Sequence, residues 1–569
     1  MTKHTHDMVI RGGSVVDGTG TPARSADVAV DGGTITAIGL IEGTGREELD
    51  ADGAVVAPGW VDIHTHYDGQ VTWDPEVTPS SWHGVTTVVM GNCGVGFAPA
   101  RPDSRNFLIE LTEGVEDIPG TALHEGIDWA WETFGEYLDA VDSMPRVLDV
   151  AAQVPHTAIR AYVMGDRAHD EPTEAEVEAM ADLVEEGLVA GAVGFATSHT
   201  LLHSSKHGFV PGTMASPSEL LALADAVGRA GHGVFQLITD NQGTGLDRLW
   251  LRDVAERTRG TVTYSLAQSP IAPDSWRDAL RYAEEDLAAG FTIVPQVASR
   301  PVGMLFGLQS SLHPFITHPT YRALAELPLA ERVDRLQSER SQLLAEEPFT
   351  HSVVARALMS RWSQMFRLGD PPDYEPDPST SVAAVAEQEG RRPEEVALDW
   401  LLERNGEALL FAPLAGYANG DHEAIREMML HPATVLGLAD GGAHCGLICD
   451  ASMPTYLLTH WARDRSRGEG VPLEQVVRLQ TARPAAVYGF ADRGTLAPGM
   501  RADVNVIDLE NLTLHAPEMV NDLPAGGRRL VQRADGYLAT VVAGETTFVN
   551  GQPTGRRPGR LVRGGVQVR

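Results

Sequence analysis

The chain has 569 residues, with 44 lysines and arginines against 78 aspartates and glutamates, giving a formal charge of −34. That length exceeds one average domain and allows a large core beside a smaller unit, while the charge repels nucleic acid and anionic membranes. No apolar run is long enough to cross a bilayer, the N-terminus leads into a strand-like segment with no signal-peptide core, and the three cysteines, Cys93, Cys445 and Cys449, cannot make a disulfide framework. These features predict a cytoplasmic protein with no nucleic-acid or membrane partner, and leave a homo-oligomer open.

From residue 7 to about 57, short β-rich runs alternate with Gly and Asp turns, as in Asp27-Val28-Ala29-Val30-Asp31-Gly32-Gly33, which predicts small hairpins. The next segment carries the most chemistry. A Pro58-Gly59 turn leads into Trp60-Val61-Asp62-Ile63-His64-Thr65-His66, where the i, i+2 spacing of an extended strand turns both imidazoles to one side. A second strand-like run soon ends in Gly91-Asn92-Cys93-Gly94. Two imidazoles and a thiolate favour a divalent metal, zinc first.

Strand-like runs then alternate with helical patterns, the mark of repeated β-α units and a parallel sheet. Eight strand ends are predicted near His66, Cys93, His156, His199, Asp240, Gln268, Arg300 and Asp440, with helices over residues 172–190 and 217–230 among the connections. Eight units point to an α/β (β/α)8 barrel over residues 58–493, whose chemistry sits where strand C-termini meet their loops. An insertion at about 301–408, with helices over 328–346 and 382–405, lies on that side as a candidate lid or oligomer contact. Residues 494–569 return to hairpins. With residues 1–57 they predict one small β-sandwich built from both termini, since neither set is large enough to bury a core alone.

The motifs Pro58-Gly59-Trp60-Val61-Asp62-Ile63-His64-Thr65-His66, Gly84-Val85-Thr86-Thr87-Val88-Val89, Asp440-Gly441-Gly442 and Gly499-Met500-Arg501-Ala502-Asp503 resemble the amidohydrolase superfamily over nearly the whole chain. Within it, Gly91-Asn92-Cys93-Gly94-Val95-Gly96-Phe97-Ala98-Pro99, Gly114-Val115-Glu116-Asp117-Ile118-Pro119-Gly120 and Trp129-Ala130-Trp131-Glu132-Thr133-Phe134 are similar to N-acyl-D-amino-acid deacylases. The resemblance implies His64, His66 and Cys93 as metal ligands and Asp440 as ligand and general base. It also implies further histidines at the ends of strands five and six. Here those strands carry Gln236 and Gln268 instead, so the expectation is one zinc ion, with His199, His203 and His207 after strand four as candidate replacement ligands.

The expected chemistry is metal-assisted hydrolysis of a small-molecule amide, with Asp440 accepting the water proton and passing it to the leaving nitrogen. His444 and Asp450 are candidate partners that orient a ligand, or loop residues holding a turn. Cys445 and Cys449 read as buried structural thiols. Arg300, at the end of strand seven, is a candidate grip for a substrate carboxylate, or a salt bridge tying the insertion to the barrel. Two other classes stay open: a hydrolase of the same architecture acting on another amide, cyclic amide or ester, and a non-catalytic assembly homologue with a degenerate metal site.

Overall fold

The computed structural model describes residues 5–348 and 353–565. Eight parallel strands, β1 (Trp60–Asp62), β2 (Val85–Met90), β3 (Asp149–Pro155), β4 (Gly194–His199), β5 (Val234–Thr239), β6 (Val262–Leu266), β7 (Ile293–Val297) and β8 (Val435–Leu436), lie side by side in chain order. β2 and β3 are buried along their whole length, as expected of strands covered on both faces. The two edges of this sheet meet just past β1 and β8, where Thr65 and Gly441 form a parallel bridge. Asp440 N–H donates to His64 O at 3.0 Å and His66 N–H to Gly441 O at 2.7 Å. This is a TIM-barrel-like α/β fold. The same edge contact sets Asp440 beside His64 and His66, although 374 positions separate Asp440 from His66 in the sequence.

Local sequence explains the connecting helices. Glu174–Ala190 starts on a Thr173–Glu176 capping box and stops at Gly191, whose φ of 119° an L side chain rarely adopts. Pro217–Ala230 has Ser216 as its N-cap and Gly231 at its end. The single helix predicted over 382–405 is instead two, Val382–Glu389 and Pro393–Leu402. Gly390 terminates the first in the left-handed region and Pro393 opens the second, signals that outweigh the continuous apolar periodicity. The helix expected over 328–346 likewise breaks at Glu339.

The insertion has its own apolar core, which includes Met304, Phe306, Phe315, Leu336, Leu398 and Leu401. Its sheet extends past the predicted end near 408, because Leu410–Ala415 pairs antiparallel with both Val302–Phe306 and Phe366–Arg367. A nine-stranded sheet interleaves the two ends of the chain. Val504–Ile507 lies between Val55–Pro58 and Tyr537–Val542, and His6–Val15 lies on the far side of Val55–Pro58. Met8, Val28, Val56, Val504 and Val541 share one core there. Among the described residues, no helix is long and apolar enough to cross a membrane.

Asp149, at the start of β3, joins the barrel to the C-terminal segment. Fully buried, it accepts hydrogen bonds from Arg493 Nη1 at 2.8 Å, Arg501 Nη2 at 2.9 Å and the Arg560 N–H at 2.9 Å. Asp149→Ala is expected to cost about 3 kcal/mol, because it leaves the buried Arg493 guanidinium short of its main counter-charge. Urea unfolding at neutral pH would measure this, and an unchanged midpoint would contradict it.

Candidate metal centre

His64 and His66 follow β1 on the same side of the chain, both buried, with ring centroids 5.5 Å apart. Cys93 arrives from the loop after β2. Its neighbour Asn92 is locked by side-chain bonds to Thr65 O at 3.2 Å and Val89 O at 2.8 Å, and Gln153 donates to Asn92 Oδ1 at 2.9 Å. The Cys93 backbone has φ 57°, a left-handed conformation uncommon for a non-glycine residue, and its N–H donates to Gln236 Oε1 at 3.0 Å. Asp440 also has positive φ, 48°, on the loop after β8.

Three donor atoms converge, with a carboxylate beside them. Cys93 Sγ is 3.3 Å from His64 Nε2, and Asp440 Oδ1 is 3.4 Å from His64 Nε2 and 3.5 Å from His66 Nε2. The donor atoms of His64, His66 and Cys93 all lie within 4.8 Å of one another, a spacing that fits one metal ion, and Asp440 approaches both imidazoles from the other side of the barrel seam. The outer ring nitrogens agree with that fit. His64 Nδ1 donates to Gln296 Oε1 at 2.8 Å, which leaves the Nε2 lone pair facing the cluster, and Gln296 is held in turn by Thr263 at 2.9 Å. His66 Nδ1 faces Glu116 Oε1 at 3.4 Å. That buried oxygen makes no hydrogen bond.

Charge states follow from burial and neighbours. Burial pushes the His64 imidazole down to about 4, against the opposing pull of Asp440. Burial also raises the Cys93 thiol to about 11. For Asp440, burial opposes the charged form, but the hydrogen bond from His66 and the nearby His64 and His66 outweigh it and hold the carboxyl below its ordinary range. The same balance holds for His66. Burial disfavours its charge, yet Glu116 and Asp440 keep the ring well above the usual histidine value.

The remaining predicted positions are distributed around this cluster. His203 is bonded through Nδ1 to Ser198 Oγ at 3.0 Å, and is pushed down to about 3 by burial and then by His444 and His66. His444 ring lies 6.4 Å from that of His66, with Nε2 3.8 Å from Glu116 Oε2. His199 packs at a tilt against Trp250 with ring centroids 5.9 Å apart, and its Nε2 has no hydrogen-bond partner. His207 is on the surface, paired with Glu110 at 2.8 Å. Arg300 is 1% exposed, lies over the Tyr374 ring at 3.9 Å and donates to Asp450 Oδ1 at 2.9 Å and Cys449 O at 2.6 Å. Tyr374 belongs to the insertion, so Arg300 ties insertion to barrel. Cys445 and Cys449 are free thiols, both raised to about 12 by burial.

Gln236 and Gln268 serve the backbone. Gln236 holds the Cys93 loop, while Gln268 accepts from the Ala418 N–H at 2.9 Å. Two close partners of the cluster, Glu116 and Gln296, were missed by reasoning from the sequence. Glu116 stands in the motif Gly114-Val115-Glu116-Asp117, which was the available signal; nothing in the local sequence marks Gln296. A second buried group, Glu375, His422 and His460, also has metal-compatible spacing. There the Glu375 oxygens are taken by Arg465 at 3.0 Å each and by His460 at 2.9 Å, a donor set that suits an ion-pair network.

Comparison with known proteins agrees with the geometry. Residues 47–548 match the model of the amidohydrolase family, and the chain belongs to that family. It is 28% identical to a D-aminoacylase of Alcaligenes xylosoxydans xylosoxydans, over 98% of this chain and 97% of that one. It is also 28% identical to an N-acyl-D-glutamate deacylase of the same organism, over 98% and 96%. Among solved structures it is similar to N-acyl-D-glutamate deacylase from Bordetella bronchiseptica, complexed with zinc and a phosphonate inhibitor that mimics the tetrahedral intermediate. That similarity is 25% in identity with a TM-score of 0.65, covering 98% of this chain and 99% of the other.

Proposed function

We propose that this protein is a zinc-dependent hydrolase that removes the acyl group from an N-acyl-D-amino acid, with one ion held by His64, His66, Cys93 and Asp440. The observation that carries this reading is the grouping of His64, His66 and Cys93, with Cys93 Sγ and Asp440 Oδ1 at 3.3 and 3.4 Å from the same His64 nitrogen. Zinc in such a site polarises an amide carbonyl and lowers the pKa of water to about 7.

The protein's own residues supply the proton traffic and the positioning. Asp440 accepts a proton as water attacks the amide carbon, then delivers it to the nitrogen as the C–N bond breaks, leaving a carboxylate and a free amine. Gln296 fixes the His64 imidazole from behind by a hydrogen bond, and the Glu116 carboxylate faces His66 Nδ1 as its counter-charge. His203 and His444 stand beside the cluster as hydrogen-bonding groups for the substrate rather than as a second ligand set. Arg300 keeps Nε and Nη1 without hydrogen-bond partners, so a carboxylate grip remains part of the proposal even though its Nη2 is committed to Asp450 and Cys449.

We also read the nine-stranded sheet as a β-sandwich domain shared by residues 1–57 and 494–569, flanking a barrel of residues 58–493. The free cysteines suit a reducing cytoplasm.

Assays of the zinc-loaded protein on paired N-acyl-D- and N-acyl-L-amino acids test the function. Turnover of the D series with about one zinc per chain is expected. A protein that binds no zinc, or hydrolyses only cyclic amides or esters, would overturn the reading. Gln296→Met, which keeps the volume and removes the acceptor, should weaken zinc binding about 10- to 100-fold in a competition with a chromogenic chelator. Equal affinity would show that Gln296 does not orient His64.

A further inference from the structure

Seven of the eleven large apolar side chains found exposed among the described residues lie on loops that follow three consecutive barrel strands, β4, β5 and β6. They include Leu201, Leu202 and Met214 after β4, Leu246 and Leu249 after β5, and Ile271 after β6. Met214, Leu249 and Ile271 are 77%, 75% and 94% exposed. Single exposed leucines need no explanation, but a concentration at one sector of the barrel mouth, on a chain of charge −34, does.

The loops are tied to one another and start at the barrel strand ends. Asp240 at the end of β5 accepts from Thr200 Oγ1 at 2.5 Å and the Leu201 N–H at 2.9 Å, fastening the β4 loop to the β5 loop. Gln242 accepts from the Ala267 N–H at 3.3 Å and fastens the β5 loop to the one after β6. Inward, Leu202 is the chain neighbour of His203, which is bonded to Ser198 Oγ of β4 at 3.0 Å, and Leu249 adjoins Trp250, whose ring centroid lies 5.9 Å from that of His199. The rim therefore runs outward from the ends of the barrel strands, with histidine and tryptophan at its inner end and bare aliphatic side chains at its outer end.

We propose that this rim is a binding subsite for the hydrocarbon tail of a long-chain N-acyl amino acid, so that the favoured substrates carry a fatty-acyl rather than an acetyl group. The inference rests on the deacylase reading above and names the acyl class for that same site. The amide must reach the zinc cluster with its acyl end pointing out of the barrel. A tail lying along the β4–β6 loops covers aliphatic surface that otherwise faces water. The tail is far from the reacting atoms, so its contacts stabilise ground and transition states alike and lower KM without raising kcat.

The test is an acyl series from acetyl to dodecanoyl on D-leucine and D-glutamate, run with zinc-loaded enzyme. KM should fall about 2-fold per added methylene, less than for full burial because an open rim covers one side of the tail, with kcat flat. The double variant Leu202→Ser, Leu249→Ser should raise KM for the dodecanoyl substrate by roughly 10-fold and flatten the series. A KM independent of chain length, or a variant with the wild-type series, overturns the proposal. So does a dimer in sedimentation that the double variant dissociates while chain length has no effect, since the rim is then a contact between copies. If no N-acyl-D-amino acid of any length is turned over, the deacylase reading fails. Calorimetry with dodecanoate against acetate then decides the subsite: dodecanoate binding lost in the double variant supports it, and no binding overturns it.

Discussion

Asp440→Asn is expected to lower kcat by about 10²- to 10⁴-fold with the fold intact and substrate binding measurable. The amide has nearly the shape of the carboxylate, so the loop after β8, where Asp440 holds φ 48° and donates its N–H to His64 O, keeps its conformation. What changes is basicity. A carboxamide takes no proton from water and returns none to the leaving nitrogen. Because Asp440 Oδ1 also stands among the donors, at 3.4 Å from His64 Nε2, kinetics must be paired with zinc occupancy. A loss of rate at full occupancy assigns the proton role. An Asn variant that is fully metallated and as fast as the parent would rule it out.

Much of this arrangement was legible in the sequence, for reasons specific to particular segments. Strands covered on both faces leave unbroken apolar runs, so Val85–Met90 and Asp149–Pro155 could be read directly, and all eight predicted strand ends lie within a few residues of an observed one. The period of a strand likewise put His64 and His66 on one side before any coordinates were known. The sequence did not reveal what long-range closure creates. Gln296 reaches His64 across 232 positions, and Glu116 reaches His66 from the end of a helix that carries no strand-like signal. Arg300 shows the limit from the other direction. Its place just past β7 was read correctly, but a strand end does not fix where a long side chain goes, and the guanidinium lies buried against Tyr374 and Asp450.

On the proposed four-donor site, with Gln236 and Gln268 committed to backbone N–H groups, Cys93 is the residue on which metal binding turns. Cys93→Ser should abolish stoichiometric zinc and with it activity, with apparent zinc affinity falling by at least about 10²-fold. The serine hydroxyl is smaller than the thiol and does not ionise in the accessible pH range, whereas the thiol, although raised to about 11 by burial, is deprotonated outright when it coordinates zinc. The barrel itself should persist, because the neighbouring Asn92 bonds to Thr65 and Val89, and the Cys93 N–H bond to Gln236, do not involve sulfur. Far-UV circular dichroism should therefore match the parent while the melting temperature loses only the increment contributed by bound zinc. A serine variant that still holds one zinc per chain against a chelator would remove Cys93 from the ligand set. The decisive companion is His203→Ala. If that change alone strips the metal, the fourth donor comes from the loop after β4; if zinc stays, His203 acts on the substrate side and the four donors named here hold the ion.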